Sequence, residues 1–130
     1  MSNKRVLVSI ILGIFDISIE EEKLLGAVAT ACSYPEYQPI NHSGEVGCWL
    51  MQESQGKGLA TMACLKIIDH GKTVLGIERF EFHTAVDNHH TQALAERIGF
   101  QRLPGVIKSA EVIDSKSVDH VVYIIFLMML

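Results

Sequence analysis

The stretch best placed to do chemistry in this 130-residue chain is Gln55-Gly56-Lys57-Gly58-Leu59-Ala60. It stands between a strand-like run, Gly44 to Met51, and a helix-like run that reaches Leu75. Glycines at 56 and 58 leave the backbone bare where the chain turns. The first N–H groups of a helix have no partner within it, and the helix dipole makes that end attractive to anions. Strand, glycine turn and helix together form a cradle for phosphate. This is not a Walker A loop, because Gly58 occupies the Ser/Thr place and no glycine stands at the required upstream spacing. A kinase or NTPase is disfavoured on that ground. The histidines and cysteines offer no metal set: His89-His90 are adjacent and point apart on a helix, and no H-x-x-x-H or C-x-x-C spacing occurs. No metal is expected.

The elements that must hold this cradle follow from periodicity. Val6 to Ile19 is rich in β-branched residues and suits a strand. Glu20 to Lys23 is a charged turn, and Leu24 to Tyr34 returns as the second strand of a hairpin. Pro35 to Ser43, with two prolines and no apolar rhythm, is a loop. From Lys57 the period becomes helical: Ala60, Ala63-Cys64, Ile67-Ile68, Gly71 and Val74-Leu75 share one stripe, and Gly76 suits the C-cap. Phe80, Phe82, Thr84 and Val86 alternate with Glu81, His83 and Ala85, which is strand period. Asp87 or Asn88 can cap a short helix carrying Ala93, Leu94, Ala95 and Ile98, ended by Gly99. Phe100 opens a short extended piece, Pro104-Gly105 turns the chain, Ser115-Lys116-Ser117 forms a hairpin tip, and Val118 onward is the last strand. The predicted architecture is α/β (α+β): a mixed, mostly antiparallel sheet around a central strand–helix–strand–helix core with a right-handed crossover.

Composition narrows the class. The length fits one domain, residues 1–130, and a formal net charge of −4 argues against a protein that lives on nucleic-acid phosphates. Cys32, Cys48 and Cys64 leave an odd cysteine over, which suits a reduced, cytoplasmic setting. The apolar end, Val121 to Leu130, is about half of the ~20 residues a spanning helix needs, so no membrane partner is expected. Exposed strand edges and the apolar tail from Ile124 point to a homo-oligomer.

These segments resemble the GNAT N-acetyltransferase superfamily. Gln55-x-x-Gly58-x-Ala60 is similar to its Arg/Gln-x-x-Gly-x-Gly/Ala signature, and Gly44 to Leu50 looks like the strand before it. Asn88-His89-His90-Thr91 followed by Glu96-Arg97-Ile98-Gly99-Phe100 resembles the Asn-x-x-Ser…Gly-Phe segment of the RimJ/RimL-like branch, which acetylates protein N-termini, notably of ribosomal proteins. Lys108 to Glu111 and Val118-Asp119-His120 are similar to that branch's closing hairpin. The likeness runs from about Leu12 to the end. Members of the branch carry an additional N-terminal strand and two helices before the hairpin. Here only Met1 to Ile11 precede it, so the expectation is a domain shortened at its N-terminus.

The resemblance implies an acetyl-CoA-dependent enzyme that transfers acetyl directly to a primary amine, most naturally a protein or peptide N-terminus. A small-molecule amine such as a polyamine is the alternative acceptor. A non-catalytic CoA-binding or oligomeric module is the alternative function. Residues Gln55, Gly56, Lys57, Gly58, Leu59 and Ala60 would hold the pyrophosphate of coenzyme A through main-chain N–H groups. Trp49, Leu50 and Met51 would offer main-chain groups to the pantetheine arm, which pairs with a splayed strand edge as a peptide does. Glu111 stands at the branch's carboxylate position as base, with Glu45 a competitor. Thr91 stands at the Ser position and would hydrogen-bond the departing sulfur, while Asn88 would orient cofactor or water.

Overall fold

The computed structural model describes residues 5–18, 22–35 and 43–126. Strands β1 (Arg5–Asp16) and β2 (Lys23–Pro35) pair antiparallel, and β3 (Ser43–Leu50) joins β2 antiparallel. A 3₁₀ turn (Gln52–Ser54) leads to α1 (Leu59–Leu75), which returns the chain to β4 (Arg79–Ala85), parallel to β3. Then come α2 (His89–Ile98), the two-residue β5 (Gln101–Arg102), β6 (Ile107–Ile113) and β7 (Lys116–Phe126). The seven-stranded sheet runs β1-β2-β3-β4-β7-β5, with β6 also on β7. Only β3–β4 is parallel, because only that pair is joined by a helical crossover. The mixed, mostly antiparallel α/β architecture is the one the periodicity predicts.

Two sequence expectations need correction. The last hairpin turns at Asp114 and Ser115, with φ of 50° and 65°, and Lys116 already pairs with Ile113. Two consecutive residues with positive φ make the tight turn that matches strand twist, so Lys116 and Ser117 belong to β7. In α1, Val74 is 66% exposed rather than on the buried stripe, while Leu75 beside it packs against the core. Both ends of the predicted loop belong to strands instead, Pro35 to β2 and Ser43 to β3; residues 36–42 lie outside the described residues, as do 1–4, 19–21 and 127–130.

The core sits between one sheet face and the two helices. Alternation along β4 sends Phe80, Phe82 and Thr84 inward, with Arg79, Glu81 and His83 on the other face. Phe82 meets Phe100 edge-on, with centroids 4.9 Å apart, and Val28, Val46, Ile67, Ile77 and Val121 close the cluster. Gly71 lets α1 lie this close: a Cβ there would stand 2.8 Å from the Phe80 ring. The one tyrosine of this core, Tyr123, donates its hydroxyl to Glu96 Oε1 at 3.0 Å. Burial and that carboxylate hold its phenol above the ordinary value of 10.

Candidate active site

The sheet opens where β3 and β4 part. The two strands pair only from Ser43–Glu45 against Arg79–Glu81, whereas β3 stays on β2 as far as Leu50. Beyond Glu45 the β4-facing edge of β3 has no strand beside it, and the gap becomes a cleft of about 680 Å³. Its walls are β3 from Val46 to Leu50, the loop from Gln55, the start of α1, and Phe82 to Thr84 of β4. The remaining wall is α2, with Asn88 at its cap, through His90, Thr91, Leu94 and Arg97.

The loop floor is built from backbone. Met51 N–H donates to the Leu25 carbonyl at 2.8 Å, anchoring the end of β3, and Gln55 Nε2 donates back to the Leu50 carbonyl at 3.3 Å. Gly56 and Gly58 both take φ of 77°, a region side chains rarely adopt, and a Cβ at either would meet nothing within 4 Å. They are bare for conformation and for access, not to clear a neighbour. Gly58 caps α1 with no side-chain bond, and the first helical bond runs from Met62 N–H to the Gly58 carbonyl. The N–H groups of Leu59, Ala60 and Thr61 therefore precede the helical ladder. By contrast α2 is capped, with Asn88 Oδ1 accepting from Thr91 N–H at 3.1 Å. An uncapped N-terminus opening on a cleft fits a phosphate-bearing ligand, and Arg97, whose Nη1 donates to Thr61 Oγ1 at 3.2 Å, brings a cation to the same place.

Of the residues singled out in the sequence, Trp49, Leu50, Gln55, Gly56, Gly58, Leu59, Ala60, Asn88 and Thr91 share this cleft. Met51 and Lys57 belong to the loop but lie outside the lining. Glu111 also stands outside it: on β6, its half-exposed carboxylate is 3.2 Å from His120 Nε2, off the angle of a hydrogen bond. Glu45 is exposed and faces Glu81 in register. Cys48 lines the cleft and accepts a hydrogen bond from the Cys64 thiol, which that bond and burial push far above its ordinary range. Sequence reasoning missed His83, His90, Thr61 and Arg97. The helical spacing of His90, Thr91, Leu94 and Arg97 was a usable signal, since it puts them on one side of α2. Among the described residues no group of three His, Cys, Asp or Glu side chains is placed to hold a metal, and no helix is long and apolar enough to cross a membrane.

A strand pair splayed beside an uncapped, glycine-led helix makes this a mixed α/β fold with an anion-accepting cleft at its centre. The model of the acetyltransferase (GNAT) domain matches residues 9–101, and the chain belongs to that family. The match ends before β6 and β7. The ribosomal-protein-serine acetyltransferase of Escherichia coli (strain K12) is 31% identical over 104 residues, covering 80% of this chain and 55% of that protein. The microcin C7 self-immunity acetyltransferase MccE, solved with acetyl-CoA and AMP, is similar at 32% identity and TM-score 0.66, over 81% of this chain and 56% of that one. Spermidine N-acetyltransferase SpeG from Vibrio cholerae shares the fold at TM-score 0.74 and 24% identity, over 91% of this chain and 65% of that one. The chain spans about half the length of the curated relatives it matches, 41%, 55% and 57% of them.

Proposed function

We propose that the chain is an acetyl-CoA-dependent N-acetyltransferase that passes acetyl directly to a primary amine, with a protein or peptide N-terminus, a ribosomal protein among the candidates, as acceptor. The observation that carries the reading is the single cleft shared by the splayed edge of β3 and the uncapped start of α1. When bound, acetyl-CoA supplies an acyl group already activated as a thioester. Backbone N–H groups of Gly56 to Ala60, with the Arg97 guanidinium, hold pyrophosphate. Alternate residues of β3 turn their main-chain groups away from β2, so Cys48 and Leu50, rather than Trp49, would meet the pantetheine amides and align the thioester for attack. A main-chain N–H on that edge would support negative charge developing on the acyl oxygen. Thr91 gives a hydroxyl to the departing sulfur, and Asn88, capping α2, fixes where Thr91 stands.

The E. coli relative, named for a ribosomal-protein acceptor, favours a protein amine; SpeG, named for spermidine and similar at 24% and 27% identity in two of its structures, keeps a polyamine as the alternative acceptor. Ile11, Phe15 and Phe126, exposed on the open face of the sheet, support self-association. A dodecameric structure of the Vibrio cholerae spermidine enzyme is a precedent in that protein.

Titration calorimetry with acetyl-CoA tests the cofactor, and thiol release with a panel of N-terminal peptides beside spermidine tests the acceptor. Binding followed by peptide-dependent release is the expected result. No binding at millimolar cofactor sinks the proposal. One observation favours a second reading, a CoA-binding module without turnover: the carboxylate at the branch's base position, Glu111, stands outside the cleft. Binding without thiol release from any amine would select it.

A further inference from the structure

Acetyl transfer needs a neutral amine, and an N-terminus or polyamine arrives largely as ammonium at neutral pH. Some group at the cleft must take that proton. Glu111 and Glu45 both lie outside the lining, so neither carboxylate expected from the sequence is in place. His83 is in place. It lines the cleft from β4, beside the point where β3 and β4 separate, with its side chain 29% exposed. Its Nε2 is 2.9 Å from Glu81 Oε2.

That contact is held from behind. The other Glu81 oxygen accepts from Arg79 Nη2 at 2.7 Å, and the Arg79 guanidinium sits 5.5 Å from the centre of the Phe126 ring. Arg79, Glu81 and His83 alternate along one face of β4, so the strand period itself aligns guanidinium, carboxylate and imidazole. A carboxylate only accepts, so in the neutral imidazole Nε2 carries the hydrogen and Nδ1 the lone pair. A carboxylate fixing the tautomer of a histidine is the arrangement of a general base.

We infer that His83, oriented by Glu81, is the base that takes the acceptor's ammonium proton in the splay between β3 and β4. The role rests on the acetyl-transfer reading above. The balance is simple. R–NH₃⁺ gives one proton to Nδ1, and the imidazolium, facing Glu81, returns it to solvent. The freed nitrogen forms the N–C bond as the C–S bond breaks, and the nitrogen's second proton ends on sulfur, relayed by the Thr91 hydroxyl. Amine and thioester become amide and thiol. His83 is the catalytic residue, and Glu81 is a positioning residue.

The charged groups around His83 set the background for its titration. They are Arg79 and Glu81 on its own strand, and Glu45 on β3 in register with Glu81. On β7, His120 pairs with Ala85 and has Glu111 of β6 beside it; across the cleft stand His90 and Arg97 of α2.

The test uses the full chain, acetyl-CoA and the best peptide of the panel. The parent should show kcat/KM that rises with pH as the base loses its proton. His83→Gln should lower kcat/KM by about a hundredfold or more, erase that limb and leave the calorimetric acetyl-CoA affinity unchanged. Added imidazole should restore part of the rate in His83→Ala, which a merely structural role would not allow. Glu81→Gln should lower kcat alone, yet add little in the His83→Gln background, because both act through one imidazole. A parent that turns over while His83→Gln keeps its rate and limb overturns the inference and leaves the acetyl-transfer reading standing. So does a loss in Glu111→Gln that exceeds the loss in His83→Gln. A parent that binds acetyl-CoA but never releases thiol overturns both.

Discussion

On the sheet face covered by α1 and α2, Phe80 and Phe82 are 0% and 2% exposed; on the open face Trp49 and Phe126 are 52% and 64% exposed. The same strands supply both faces. In β4 the inward residues are two phenylalanines and a threonine, and the outward ones are an arginine, a glutamate and a histidine linked end to end. The covered face therefore carries the folding free energy, because its apolar area leaves water and its ring contacts are close. The open face keeps polar groups that would be costly to bury unpaired. The cleft lies where the two faces meet, since parting β3 from β4 removes the sheet that would separate them. A ligand in the cleft can then meet both His83 on the open face and the bare start of α1 on the covered side. The difference teaches that β4 is both a core strand and a site strand, by alternation alone.

That contrast can be broken experimentally, starting with its largest expected effect. Phe80→Ala should cost about 3–5 kcal/mol in urea unfolding, by lost burial and the cavity left against Gly71. Phe126→Ala on the open face should cost under ~1 kcal/mol. Equal losses would mean that the open face is covered in solution. Tyr123→Phe comes next: it removes the phenol donor from a Glu96 carboxylate that water can still reach, and should cost about 1–1.5 kcal/mol in the same assay. Gly58→Ala probes the seam. Placing a side chain at φ of 77° should destabilise by about 1 kcal/mol, while acetyl-CoA binding by calorimetry weakens about tenfold. A loss of stability with intact binding would detach that loop from the ligand.

The smallest expected effect lies at the closing hairpin. Asp119 accepts from Ser109 N–H at 2.9 Å and from Lys108 Nζ at 3.3 Å, contacts that hold its carboxyl below the ordinary 3.8. A carboxyl lowered by folding stabilises above its unfolded value and loses that contribution as pH falls through its folded one. Melting curves of the parent and Asp119→Asn should therefore differ at neutral pH and converge as pH falls below 3.8. A gap that stays constant down to the most acid condition would show that the carboxylate's charge is not what holds the hairpin.

Much of this molecule was legible in its residues. The α1 stripe from Ala60 to Leu75, the alternation of β4 and the glycine C-caps at Gly76 and Gly99 all act within a turn or two of the chain, so local periodicity reports them. The glycine turn before α1 was legible for the same reason, because Gly56 and Gly58 are needed by their own φ angles. Glu111 was not. A match in a motif gives a position in a strand, but whether that carboxylate faces the cleft depends on how β6 lies on β7. His83 was hidden in the opposite sense: its alternation with Glu81 was visible, but nothing local reveals that β3 leaves β4 beyond Glu45 and exposes it to a cleft.

The sequence by itself determined the order and type of the elements, the glycine turn before α1 and the family likeness, because each follows from neighbours in the chain. Only the tertiary structure decided which polar groups converge. Strand parting, the meeting of α1 with α2 through Thr61 and Arg97, and the placing of His83 beside the cradle all depend on residues far apart in the chain, whose approach is set by packing of the shared core.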